Sequence, residues 1–113
     1  MPDRKPDKIR ELNDAFRKSL QPDENNRAIV TQGIQDQGEK FMYPVFDRVR
    51  AFDDFSPDND PHGEHDFGAF EYLGQKIFWK YDYYDNNLEF GSEDPSDPKQ
   101  TVRVLTIMLA SEY

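Results

Sequence analysis

Phe67-Gly68-Ala69-Phe70-Glu71-Tyr72-Leu73 and Lys76-Ile77-Phe78-Trp79-Lys80-Tyr81-Asp82-Tyr83-Tyr84, separated by the turn around Gly74-Gln75, decide the fold. Both runs are rich in the aromatic side chains that suit a pleated surface, and a tight turn between such runs predicts an antiparallel hairpin. Side chains alternate along a strand, so Ile77, Trp79, Tyr81 and Tyr83 share one face. Phe78, Lys80, Asp82 and Tyr84 share the other. A small domain needs large side chains in its core, which places the first set inside and exposes Asp82 and Tyr84 opposite. The strip Phe78, Trp79, Tyr81, Tyr83 and Tyr84 could also stack a sugar or a base. Core formation is the simpler role.

Upstream, Ile9, Leu12, Phe16 and Leu20 recur at three- and four-residue spacings, the stripe of an amphipathic helix. Asp7 can cap it and Pro22 stops it near Leu20. Residues 27–32 form a short β-branched run that ends at Gly33 and predicts a strand. A second helix carries Phe41, Val45, Phe46, Val49 and Phe52, and Pro44 fits only in its first turn. Residues 53–66 are a turn-rich connection. Downstream of the hairpin, Asp85-Asn86-Asn87 marks a turn and Leu88-Glu89-Phe90 a third short strand. In 101–113, Val102-Arg103-Val104 alternates like a strand, yet Val102, Leu105, Leu109 and Tyr113 fit helical spacing. Asp97-Pro98 is a helix-opening pair, so this segment is read as a helix. The expectation is a single α+β domain over 1–113, with residues 1–6 disordered. About three helices would pack on an antiparallel sheet of three to four strands.

The 113 residues are 35% hydrophobic and 33% charged, with 23 acids, 14 bases and no cysteine. No apolar run approaches the ~20 residues of a membrane-spanning helix, and the charged start has no apolar core behind it to make a secretory signal. Without cysteine there are no disulfides, thiolate metal sites or cysteine nucleophiles, which fits a cytoplasmic protein. The net charge of -9 argues against direct nucleic-acid binding. An aromatic content of 14% argues against a disordered acidic tail. The charge is uneven. Residues 1–52 carry +1 and residues 98–113 carry +1, while 53–97 hold thirteen acids against Lys76 and Lys80 for -11.

The run Asn59-Asp60-Pro61-His62-Gly63-Glu64-His65-Asp66-Phe67-Gly68 is followed by Trp79-Lys80-Tyr81-Asp82-Tyr83-Tyr84-Asp85. The chain closes with Arg103-Val104-Leu105-Thr106-Ile107-Met108-Leu109-Ala110-Ser111-Glu112-Tyr113. Together these resemble a small bacterial family catalogued as domain of unknown function 3768, over nearly the whole chain from about Ile9. The resemblance implies a bacterial protein, often carried near mobile sequence. It brings no reaction and no catalytic residue.

Residues 58–66 gather carboxylates and two imidazoles, the ligands that divalent metals take. As a calcium loop, Asp58, Asp60 and Gly63 fit, but His62 stands where an oxygen ligand belongs and Ala69 where the closing Glu belongs. As a zinc site, His62 and His65 lie three apart without helical context. A facial triad of His62, His65 and one carboxylate such as Asp66, with Asp82 or Asp85 added from the neighbouring hairpin, is the remaining metal arrangement. The simpler reading is a set of side-chain-to-backbone turns. Asp53 and Asp54 either close the second helix with unfavourable charge or lie beyond its end. The glycines are scattered singly, without a phosphate loop, and no serine sits in a nucleophile elbow.

Two functions follow. The first is an acidic interaction module without cofactor, whose face of Asp53, Asp54, Asp58, Asp60, Glu64, Asp82, Asp85 and Glu89 binds a basic protein surface. The association with mobile sequence that the family resemblance implies suggests its specific version, a nucleic-acid mimic that binds and inhibits a restriction or CRISPR defence protein. The second is a metal-dependent hydrolase that uses His62, His65 and Asp66.

Overall fold

In a computed structural model, residues 5–113 are described. Helix α1 spans Pro6–Ser19, strand β1 Asn26–Val30, the one-turn helix α2 Gln32–Gln35 and helix α3 Glu39–Arg50. Strands β2 (Phe67–Tyr72), β3 (Gln75–Tyr84) and β4 (Val102–Leu109) follow, and a 3-10 turn closes the chain at Ala110–Glu112. The domain is α+β, as expected. Pro6 opens α1, where its missing N–H costs nothing, and residues 1–4 of the stretch expected to be disordered lie outside the described residues.

The hairpin is β2–β3, with Phe70 opposite Ile77 and Gly68 opposite Trp79. Leu73 and Gly74 both have positive φ, 49° and 77°, the backbone a two-residue hairpin turn requires. The turn therefore sits one residue earlier than its glycine suggested. Gly68 has a second reason to be glycine: a Cβ there would lie 2.3 Å from the Trp79 indole nitrogen. The bare backbone of β2 leaves that indole its place across the strand.

The sheet order is β1-β4-β3-β2. β4 is antiparallel to β3 but parallel to β1, so the sheet is mixed rather than antiparallel throughout. The last segment is thus a central strand and not the helix expected over 101–113. Its side chains are buried on both faces, with Val104 and Met108 buried even on the face that lacks the α-helices. A strand buried on both faces loses its two-residue alternation, and the apolar spacing then fits a helix equally well. The short strand expected at 88–90 is a turn: Leu88 is left-handed, and only an isolated bridge joins Tyr84 to Gly91.

The three helices lie on one face, where Phe16, Ile34, Phe41, Val45 and Val49 meet Ile77, Trp79, Tyr81, Leu105 and Ile107. Tyr83 packs partly buried against that cluster. α1 buries Ile9, Asn13, Phe16 and Arg17, so its inner stripe includes two polar residues; Leu12 is half-buried, and Leu20, just past the helix end, packs partly buried against the core. α3 starts at Glu39, two residues before Phe41, and carries Pro44 in its second turn at the loss of one backbone bond. It ends at Arg50, which leaves Asp53 and Asp54 in the following loop.

Candidate functional site

Antiparallel pairing on both sides of β3 places its end, at Tyr84, beside the starts of β2 and β4. The loops 51–66 and 85–101 therefore meet at one end of the sheet. Of the thirteen acids in 53–97, all but Glu71 lie on these loops or on the last three residues of β3. Topology gathers what the sequence spreads over 45 positions.

The eight acids expected on one face fall into three groups. Asp53, Asp54, Asp58 and Glu89 are exposed, and their carboxylates make no hydrogen bond or ion pair among the described residues. Asp82 is half-buried and paired with Lys80, while Asp85 Oδ1 accepts the N–H groups of Asn87 and Glu89 at 3.1 and 3.0 Å. Asp60 and Glu64 do not belong to an exposed face. Both are buried, Asp60 accepting the His65 N–H at 3.1 Å and Glu64 Oε1 the Tyr83 hydroxyl at 3.3 Å. A buried carboxylate needs such donors to offset lost hydration. Exposed Glu93 joins the free group, and Phe90 stands 71% exposed in the same loop.

His62, His65 and Asp66 do not converge. His62 is exposed, whereas half-buried His65 donates from Nδ1 to the Asp14 carboxylate at 2.9 Å and stacks on Phe55 at 3.6 Å. Its backbone is left-handed at φ 53°, a conformation uncommon outside glycine and supported here by the Asp60 and Asp14 bonds. Asp66 is raised above the ordinary carboxylate range, first by burial and then by the neighbouring Glu64 and Asp60. Among the described residues no three His, Asp or Glu side chains are grouped to hold a metal ion.

Beneath the acidic end lies a polar layer. Asn13 Nδ2 donates to the Glu64 carbonyl at 3.0 Å and to the Tyr83 hydroxyl at 2.8 Å, and its Oδ1 accepts Arg103 Nε at 2.9 Å. The Tyr81 hydroxyl donates to the Asn13 carbonyl at 2.6 Å, and burial pushes the Tyr81 and Tyr83 hydroxyls well up. Arg103 also donates to the Pro95 carbonyl, which ties the second loop to the layer. Arg17 donates to the carbonyls of Val49, Arg50 and Phe52 at 2.8–3.2 Å. It closes the last turn of α3, where a cation is favoured. These residues anchor both acidic loops, and only the i, i+4 spacing of Asn13 and Arg17 on α1 hinted at them.

Among the described residues, the other face of the sheet carries no α-helix. Arg27, Ile29, Lys80, Tyr84, Leu88 and Met108 border a groove of about 560 Å³ there, with Val104 in its floor. None of the helices among the described residues is long and apolar enough to cross a membrane.

A family model described as a protein of unknown function (DUF3768) matches residues 30–112. It begins at the end of β1, later than the resemblance from Ile9 suggested. No curated protein and no solved structure matches the chain. The match spans the hairpin, both acidic loops and the central strand, and the chain belongs to the DUF3768 family.

Proposed function

We propose that this chain is an acidic protein-interaction module that binds a basic protein surface with the end of its sheet. The observation that carries this reading is a set of five exposed acids, unpaired among the described residues, on the two loops of that end: Asp53, Asp54 and Asp58 on the first, Glu89 and Glu93 on the second, where Phe90 is also exposed. Like charges held together destabilise a compact state, and no base among the described residues pairs with these five. An exposed aromatic ring beside them supplies the apolar contact that charge alone lacks, because aromatic anchors dominate protein interfaces. A nucleic-acid-handling protein met in the cytoplasm is the partner class that fits best. Its Lys and Arg are already arranged for an anionic chain.

The immobilised protein, exposed to lysate of its own host, tests this with two controls: excess duplex DNA, and the variant with Asp53→Asn, Asp54→Asn, Asp58→Asn and Glu89→Gln. Each neutralisation should weaken retention about two- to fivefold, as exposed ion pairs do. Salt should weaken it further, because exposed charges are screened over ~8–10 Å at physiological strength. DNA should compete. Retention that survives the fourfold variant, high salt and DNA would show that the acidic end is not the binding surface.

A further inference from the structure

β1 is an edge strand whose outer side is closed at both ends and open in the middle. Arg103 N–H donates to the Asn25 carbonyl at 2.7 Å, and Thr31 N–H donates to the Ile107 carbonyl at 3.1 Å. The odd-numbered residues thus turn their backbone groups toward β4, while Asn26, Ala28 and Val30 turn theirs to the free edge. The Asn26 carbonyl accepts the Asp23 N–H at 3.0 Å, and the Val30 carbonyl accepts Gln35 Nε2 at 2.7 Å. Ala28 alone keeps both an N–H and a C=O without a partner among the described residues. Its side chain is exposed too.

Edge strands are ordinarily blunted by proline, lysine or a bulge. β1 carries one charge, Arg27, but neither proline nor lysine, and its register to β4 runs unbroken from Asn26 to Val30. We propose that β1 pairs with β1 of a second copy of this chain, antiparallel about a two-fold axis at Ala28. In an antiparallel ladder, residues directly opposite can exchange both backbone bonds. A two-fold axis through such a pair needs one residue with both groups free, and β1 offers that at Ala28. An unrelated strand would not need this self-complementary pattern.

Two further features favour a second copy in this orientation. β1 starts at the acidic end, since Asn26 pairs with Arg103 at the start of β4. Antiparallel pairing sends the two acidic ends to opposite extremes of the dimer, whereas parallel pairing would set them side by side. The register also places Arg27 across from Ile29 of the other copy. Ile29 is 49% exposed on the open face, and the Arg27 side chain makes no hydrogen bond or ion pair among the described residues. The aliphatic stem of Arg27 can cover that isoleucine while its guanidinium stays in water. The two grooves then join across an eight-stranded sheet.

Sedimentation velocity on the full chain over a range of concentrations is the first measurement. The result expected is conversion from 13.3 kDa to twice that mass as concentration rises. Ala28→Glu and Ala28→Lys should each remain monomeric, since like charges directly opposite are destabilising, and an equimolar mixture of the two should recover the dimer. The chain has no cysteine, so Ala28→Cys gives a clean second readout. Opposed residues in such a pair have Cα atoms about 5.5 Å apart, within disulfide reach, so mild oxidation should yield a covalent dimer. This holds even if the charged variants fold poorly. A parent that stays monomeric throughout overturns the proposal. So does a dimer indifferent to both charged variants, or an Ala28→Cys chain that fails to cross-link while dimeric.

Discussion

On the covered face of the sheet, Trp79, Leu105 and Ile107 pack under α1 and α3, yet the same layer holds Asn13, Arg17 and Arg103, none more than 2% exposed. On the open face, Val104 and Met108 are 5% and 3% exposed although no helix lies across them. The usual correspondence of covered with apolar is partly inverted. The reason is geometric. Helix α3 and the two acidic loops end over the covered face and leave carbonyls there at Val49, Phe52, Glu64 and Pro95. Buried carbonyls require donors, and long side chains from α1 and β4 provide them. Over the open face, among the described residues, the aromatic ring of Tyr113 lies against Phe67 and Phe78, and no α-helix covers the rest, so its residues largely shield one another. One face is held by connections that must all be satisfied, the other by side chains that tolerate change.

Removal of residues 101–113 breaks both faces at once and has the largest effect. It deletes β4, which pairs with both β1 and β3, and it takes away Arg103 together with Leu105 and Ile107, two of the five buried sheet residues of the core. A chain that ends at Gln100 should show no cooperative melting transition and no native near-ultraviolet signal. Cooperative unfolding of the shortened chain would mean that β4 is dispensable and that the core is wrongly placed.

Two alanine substitutions sharpen the contrast between the faces. Asn13→Ala leaves Arg103 Nε, the Tyr83 hydroxyl and the Glu64 carbonyl each short of a bond in a buried layer. It should cost about 3 kcal/mol, with the larger share from the charged donor. Met108→Ala removes more atoms, but its gap opens toward the groove and leaves no sealed cavity. The loss should stay near the transfer contribution alone, about 1–2 kcal/mol. Urea unfolding of the pair decides the matter, and a Met108→Ala loss exceeding that of Asn13→Ala would reverse the assignment of brittle and tolerant faces.

The same inversion explains what could be read in advance. The hairpin was legible, because β2 and β3 have a turn glycine and a clean alternation that sets Ile77, Trp79 and Tyr81 inside. β4 was not, because Val102, Val104 and Met108 are apolar on the face that lacks a helix and erase the two-residue period. The gathering of acids was legible as composition, though not as placement. Asp60 and Glu64 look like Asp58 in the sequence, and only the approach of Asn13, Tyr83 and His65 marks them as buried. His65 and Asp14 are 51 positions apart, and no local pattern announces a bond between them. Polar burial depends on which chain ends meet over the core, a property of topology rather than of local spacing.

Asp66 gives the smallest and most specific test, since it stands where the free carboxylates of the acidic end give way to the bound ones beneath. Burial raises it first, and Glu64 and Asp60 raise it further. Ionised Asp66 is therefore a burden on the fold at neutral pH. The stability its protonated form contributes is fully present below the ordinary carboxylate value and is lost as pH rises through the raised folded value. Asp23, Asp97 and Glu112 run the other way. They are lowered chiefly by hydrogen bonds, to Asn25, Gln100 and Thr31 respectively, so the stability they contribute is lost only as pH falls through their depressed folded values. Asp66→Asn should raise stability at neutral pH by at most about 1 kcal/mol, because the residue is partly open to screening water. That gain should shrink on acidification and vanish below the ordinary carboxylate range, where both chains carry a neutral side chain at 66. Melting temperatures of the two proteins from pH 7 to pH 4 measure it directly. A difference constant across that range would mean that Asp66 does not feel its buried neighbours, and that the acidic end is solvated down to the layer of Asn13 and Tyr83.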